Sequence, residues 1–106
     1  MKLHVRYRNV HATPELRQRV SRRVHFAFSR LAHAIRRVYV TLADVNGPRG
    51  GIDKEVRVRV HGPRVGSIVI ESAGVDAFAA LDDAVARAAR TTVRTLERRR
   101  VLGASD

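Results

Sequence analysis

Four arginines in the segment ARAARTTVRTLERRR, Arg87, Arg90, Arg94 and Arg98, follow one another at spacings of three, four and four, and Arg99 and Arg100 come directly after. On a helix such spacing brings the first four side chains to one face. A guanidinium is a planar, permanently charged fork that matches phosphate oxygens, so a row of them suits holding a polyanion better than making or breaking a bond. A second set, Arg19, Arg22, Arg23 and Arg30, with Phe26 and His33 interleaved, recurs at helical spacing earlier in the chain. Arg49, in the Gly- and Pro-rich stretch NGPRGG, could touch a phosphate, although this stretch lacks the pattern of a P-loop.

Residues for other chemistries are present without the spacing those chemistries need. His4, His11, His25, His33 and His61 are scattered and form no helical i,i+4 pair, so no metal site is expected. Asp82 and Asp83 are adjacent and diverge on a helix, a poor geometry for paired acid and base carboxylates. Ser21, Ser29 and Ser67 lack a recognisable nucleophile context. With no cysteine, disulfides and thiolate metal sites are excluded. The expectation is a binding protein without catalytic residues, cofactor or metal.

Composition says what would be bound. The chain has 106 residues, 21 Lys and Arg against 10 Asp and Glu, and a formal charge of +11. That length fits one compact domain, and that excess calls for a strongly negative partner, nucleic acid or an anionic membrane surface. Only Lys2 and Lys54 of the basic residues are lysine. The N-terminal MKLHVRYRNV alternates apolar and basic residues, unlike a signal peptide, and no apolar run approaches the roughly 20 residues that span a bilayer. A soluble, cytoplasmic protein with no membrane partner is expected.

The elements that must carry the arginines are legible from periodicity. Residues 2 to 8 alternate strictly and read as a half-buried strand. Thr13 is a good N-cap, Pro14 suits the first helical position, and Leu16, Val20, Val24, Phe28, Leu31 and Ile35 give one apolar stripe, predicting a helix to about Ala34. RRVYVTLADV reads as a strand from about Arg37 to Asp44, and KEVRVRVHG as its hairpin partner across NGPRGGID. After the GPRVG turn, SIVIES is a fourth strand, broken by AGVD. The last helix begins near Asp76 or Ala77, with Phe78, Leu81, Val85, Ala88, Ala89, Thr92 and Leu96 as its buried stripe.

The order is β-α-β-β-β-α, an α+β fold with a four-stranded, mostly antiparallel sheet and two helices packed on one face. Residues 1–100 are read as a single domain, and 101–106 as a flexible tail. Both helices then turn a basic face to solvent. Helix-dipole compensation accounts for Arg98 to Arg100, and Asp83 is placed to pair with Arg87, which leaves Arg90 and Arg94 without an acid at i−4. Arg57, Arg59 and His61, beside Lys2, His4, Arg6 and Arg8, fall on the sheet face away from the helices. Two readings stay open there, a second basic surface or a merely solvated sheet.

That element order, together with ATPELRQRV, VYVTL and DAFAALDDAVARAARTTVRTLERRR, resembles the ribosome hibernation-promoting factor and ribosome-associated translation inhibitor family over residues 2 to about 100. In that family the first helix opens with a stretch like Thr13-Pro14-Glu15-Leu16-Arg17. The last opens with a pattern like Asp76-Ala77-Phe78-Ala79-Ala80-Leu81-Asp82, followed by spaced basic residues. The resemblance implies that residues 1–100 are a single ribosome-binding domain that sits in the neck of the small ribosomal subunit, against rRNA and neighbouring ribosomal proteins. Competition there with mRNA and tRNA would inactivate and preserve ribosomes under stress or in stationary phase. The family's basic positions carry over to Arg22 or Arg23, Arg30, Arg87, Arg90, Arg94 and Arg98. A site that is often basic aligns with Phe26, which could stack on a base or contact ribosomal protein.

The chain ends where long members continue into a dimerisation domain, so the resemblance is to the short type, with no dedicated dimerisation domain. Two alternatives compete. A free-standing double-stranded RNA module shares much of the element order, but such modules usually begin the last helix with lysines, where this chain reads VDAFAALDD. A basic protein-interaction or membrane-surface module would need apolar stripes that the core already requires.

Overall fold

The structure, a computed structural model, describes residues 1–45 and 53–104. Its elements are β1 (Lys2–Arg8), α1 (Pro14–Phe28), a single 3-10 turn (Ala32–Ala34), β2 (Arg37–Asp44), β3 (Lys54–Gly62), β4 (Gly66–Gly74) and α2 (Ala77–Ala104). The sheet order is β1-β2-β3-β4, with β1 parallel to β2 and the other two pairs antiparallel. Parallel neighbours need a crossover connection, and α1 supplies it. The four-stranded α+β arrangement with its helices on one face is as the periodicity implied.

Local chemistry explains the helix starts. Thr13 Oγ1 accepts the Leu16 N–H at 3.1 Å, and Pro14 occupies the first turn, where its missing donor costs nothing. Asp76 Oδ1 accepts the Phe78 N–H at 2.9 Å and does the same for α2.

Three boundaries differ from those read from the sequence. Helix α1 stops at Phe28 instead of about Ala34, because the chain tightens there: the Leu31 N–H bonds to the Phe28 carbonyl, and the Ala34 N–H to that of Leu31, both at 2.9 Å. Leu31 and Ile35 kept the helical apolar spacing because the 3-10 turn folds them back onto the same core. Strand β4 is longer than SIVIES. It continues to Gly74, since Lys54 and Glu55 at the start of β3 pair with Gly74 and Ala73. At the other end, the α2 backbone carries on to Ala104, four residues past the domain boundary drawn from the sequence.

The core is one layer between sheet and helices. Leu16, Val20, Val24 and Phe28 of α1 meet Val38, Val40, Leu42, Val56, Val58, Val60 and Ile68 of the sheet and Leu81, Ala84, Val85 and Ala88 of α2. Alternation in the strands and the helical stripe are therefore two views of one buried surface. Phe78, expected in that stripe, lies 37% exposed at its margin. Where β3 ends, Gly62 passes so close to the 3-10 turn that a Cβ there would run into the Ala34 carbonyl oxygen.

Candidate nucleic-acid interface

The two adjacent carboxylates at the start of α2 face opposite flanks, as their separation of about 100° on a helix requires. Asp82 points at α1, where Arg19 Nη2 and Arg23 Nε each donate to it at 2.8 Å. The Arg19 guanidinium also lies over the Phe78 ring, 5.4 Å from its centre, which is why that aromatic sits at the surface. Partial burial works to raise the Asp82 carboxyl, but the hydrogen bonds and charges of Arg23 and Arg19 overcome it and hold the group below the usual carboxylate range. Arg19 and Arg23 thus clamp the helices together, and two cations on one carboxylate leave the seam net positive.

Asp83 points the other way, toward β4. It accepts from Ser72 Oγ at 2.8 Å and from Arg87 Nη1 at 2.9 Å, the i,i+4 pair that the spacing implies. These two donors hold its carboxyl low, with a smaller contribution from the charge of Arg90. Arg87 also donates to the Glu71 carbonyl at 3.1 Å, so it ties α2 to the sheet edge.

The remaining arginines on this side are left over. Arg22, Arg30, Arg90 and Arg98 are exposed and make no hydrogen bond or ion pair among the described residues. Arg94 reaches only Thr91 Oγ1, at 3.4 Å. Phe26 is 78% exposed and shares a shallow groove with Arg19, Arg22 and Arg23. Of the eight arginines singled out by helical spacing, three (Arg19, Arg23 and Arg87) are engaged inside the molecule and five present free donors; one of these five, Arg30, lies in the turn after α1 and not on the helix, because α1 ends at Phe28. Arg49 lies outside the described residues.

A third basic cluster was missed by sequence reasoning. Arg64, in the turn between β3 and β4, joins His33, Arg98, Arg99 and Arg100 around an open groove at the far end of α2, with Glu97 the acid among them. The signal was topological: α2 follows β4 and runs back along it, so its C-terminal half must end beside the turn where β4 began. On the opposite side of the molecule, Lys2, His4, Arg6, Arg8, Arg57, Arg59 and His61 are all exposed on the sheet face that the helices leave bare.

No helix among the described residues is long and apolar enough to cross a membrane. The sequence pattern of the family described as sigma 54 modulation protein / S30EA ribosomal protein matches residues 3–100. No curated protein matches the chain significantly. Among solved structures, a ribosomal subunit interface protein from Coxiella burnetii superposes with a TM-score of 0.72 at 16% identity, over 89% of this chain and 96% of that one. The N-terminal domain of Protein Y from Thermus thermophilus superposes with a TM-score of 0.67 at 23% identity, over 88% and 93%. At these identities the two structures speak for the shared fold.

Proposed function

The chain belongs to the sigma 54 modulation protein / S30EA ribosomal protein family, and from that membership we propose that it silences ribosomes by lodging in the mRNA and tRNA channel of the small subunit, acting in the cytoplasm. The family consists of ribosome-associated modulation and hibernation factors, not enzymes, so its residues have only to bind. The observation that carries the reading is the set of exposed arginines on the helix side that make no ion pair among the described residues. Arg22 on α1, Arg30 in the turn just after it, and Arg90, Arg94 and Arg98 on α2 are held out where rRNA phosphates can take their donors. Arg19, Arg23 and Arg87 serve the same surface from behind, fixing α1 and the sheet edge to α2. Phe26, standing clear of α1 between arginines, offers a ring to an unpaired base or to a ribosomal protein.

Occupancy by shape and charge needs no chemistry, and residues 1–100 suffice for it as one domain. Purified small subunits bound to the labelled protein, challenged with tRNA and mRNA, provide the test. Displacement by those ligands is the expected result, and unchanged binding with the channel filled rules the reading out.

A further inference from the structure

The sheet face away from the helices has an order that solubility alone does not explain. Strand register places His4, Tyr39 and Arg59 in one row across β1, β2 and β3. The His4 and Tyr39 rings stack at 5.1 Å with 17° between their planes, and the Arg59 guanidinium lies 5.2 Å from the centre of the Tyr39 ring. These separations are close to the ~4.8 Å between strands, so the pleat itself holds three flat groups in a stack. Because β1 is an edge strand and His4 is exposed, the stack ends in an open ring at the margin of the sheet.

Cations flank this row on both sides. Lys2 and Arg37 are direct neighbours in the row on one side, and Arg6 and Arg57 lie in the row on the other, separated by Thr41. Like charges opposite one another weaken a sheet, and a face that had only to stay wet would alternate signs there. Its two acids, Glu55 and Glu71, lie on β3 and β4, with Glu71 within 3.5 Å of Arg57, so the β1 and β2 side is left without a counter-charge. A shallow groove lined by His4, Arg6, Tyr39, Arg57 and Arg59 follows the stack.

We propose that this face is a second RNA-binding surface, separate from the helix arginines, that takes single-stranded RNA with an unpaired base continuing the His4–Tyr39–Arg59 stack and phosphates on the flanking cations. A flat ring stack is complementary to an uncovered base face, which a single strand offers and a duplex hides. The duplex would meet only the charges.

The test uses a fluorescently labelled, unstructured RNA of about 12 nucleotides, within the span that such surfaces cover. The double variant His4→Ala, Tyr39→Leu keeps every arginine and lysine, and is expected to bind the strand at least about fivefold more weakly. Tyr39→Phe, which keeps the ring, should bind like the unaltered chain, and Arg90→Gln with Arg94→Gln should retain most of the affinity.

Unchanged affinity in the stack variant overturns the proposal. So does displacement of the RNA by polyglutamate of matched charge as readily as by unlabelled strand, since the face would then read charge alone and fit an acidic protein equally well. Small-subunit binding by the stack variant is measured in parallel. Unchanged binding there supports two separate surfaces and leaves the channel reading intact, whereas a parallel loss refutes the separation.

Discussion

Arg90 and Arg94 are the residues on which the helix surface is most directly tested, because among the described residues neither makes an ion pair: Arg90 acts on Asp83 only through a small charge effect, and Arg94 has a weak contact to Thr91. Replacing both by glutamine should leave the thermal melt nearly unchanged while lowering affinity for the small subunit. The slope of log affinity against log salt should shrink by between about 1 and 2, the share of two phosphate contacts. Asp82 behaves in the opposite way. Its carboxyl is more acidic folded than unfolded, so ionisation favours the native state. That contribution is complete above the unfolded carboxylate value of about 3.9 and disappears as the pH falls through the lower native value. Asp82→Asn should therefore cost about 1 kcal/mol at neutral pH, a figure kept small by the half-exposed arginines it holds, and should flatten the loss of stability on acidification. Melting curves from pH 7 to pH 2.5 on both proteins would show it. Equal slopes would mean that the clamp is not what acid releases.

At the scale of elements, the tightest junction is between the end of β3 and the 3-10 turn. Gly62→Ala sets a methyl against the Ala34 carbonyl, backbone against backbone, and should cost about 1 to 3 kcal/mol, read as a lowered denaturation midpoint with an unchanged slope. Nothing in the GPRVG motif distinguished this close approach from an ordinary turn glycine. The strands and the helix starts were legible because alternation, Thr13 and Pro14 are local signals. The end of α1 was not, since a 3-10 turn that packs Leu31 and Ile35 inward keeps the spacing of a helix. Phe78 shows a second kind of blind spot. Its position suits a buried stripe, and only the arrival of Arg19 from another helix makes the surface acceptable for it. The helix arginines were legible as a set, but not which of them are spent, because Asp82 and its partners are about 60 residues apart and no local pattern links them.

For the molecule as a whole, the net charge of +11 is divided among faces that point in different directions: the helix layer, the end of α2 near Arg64, and the bare side of the sheet. Binding to small subunits should weaken steeply and log-linearly with salt, and should vary little with base sequence in a matched RNA series. Titrating potassium chloride in a sedimentation assay with purified subunits measures the first. A shallow salt slope would mean that burial of apolar surface, not phosphate contact, dominates the complex.

The parallel pairing of β1 with β2 also says something about how the protein is made. Lys2 finds its ladder partner at Arg37, and β1 has no other neighbour in the sheet. Strands β2, β3 and β4 form a meander in which each strand pairs with the next, and α2 returns across β4 and β3. Strand β1 is thus made before the strand it joins, and its place at the margin is defined only after β2 has been synthesised. In hydrogen exchange, the amides of β1 should be released before those of β3, which has a partner on each side. The Asp82 clamp closes later still, when α2 has emerged. A nascent chain therefore cannot present its assembled helix surface until α2 has been synthesised.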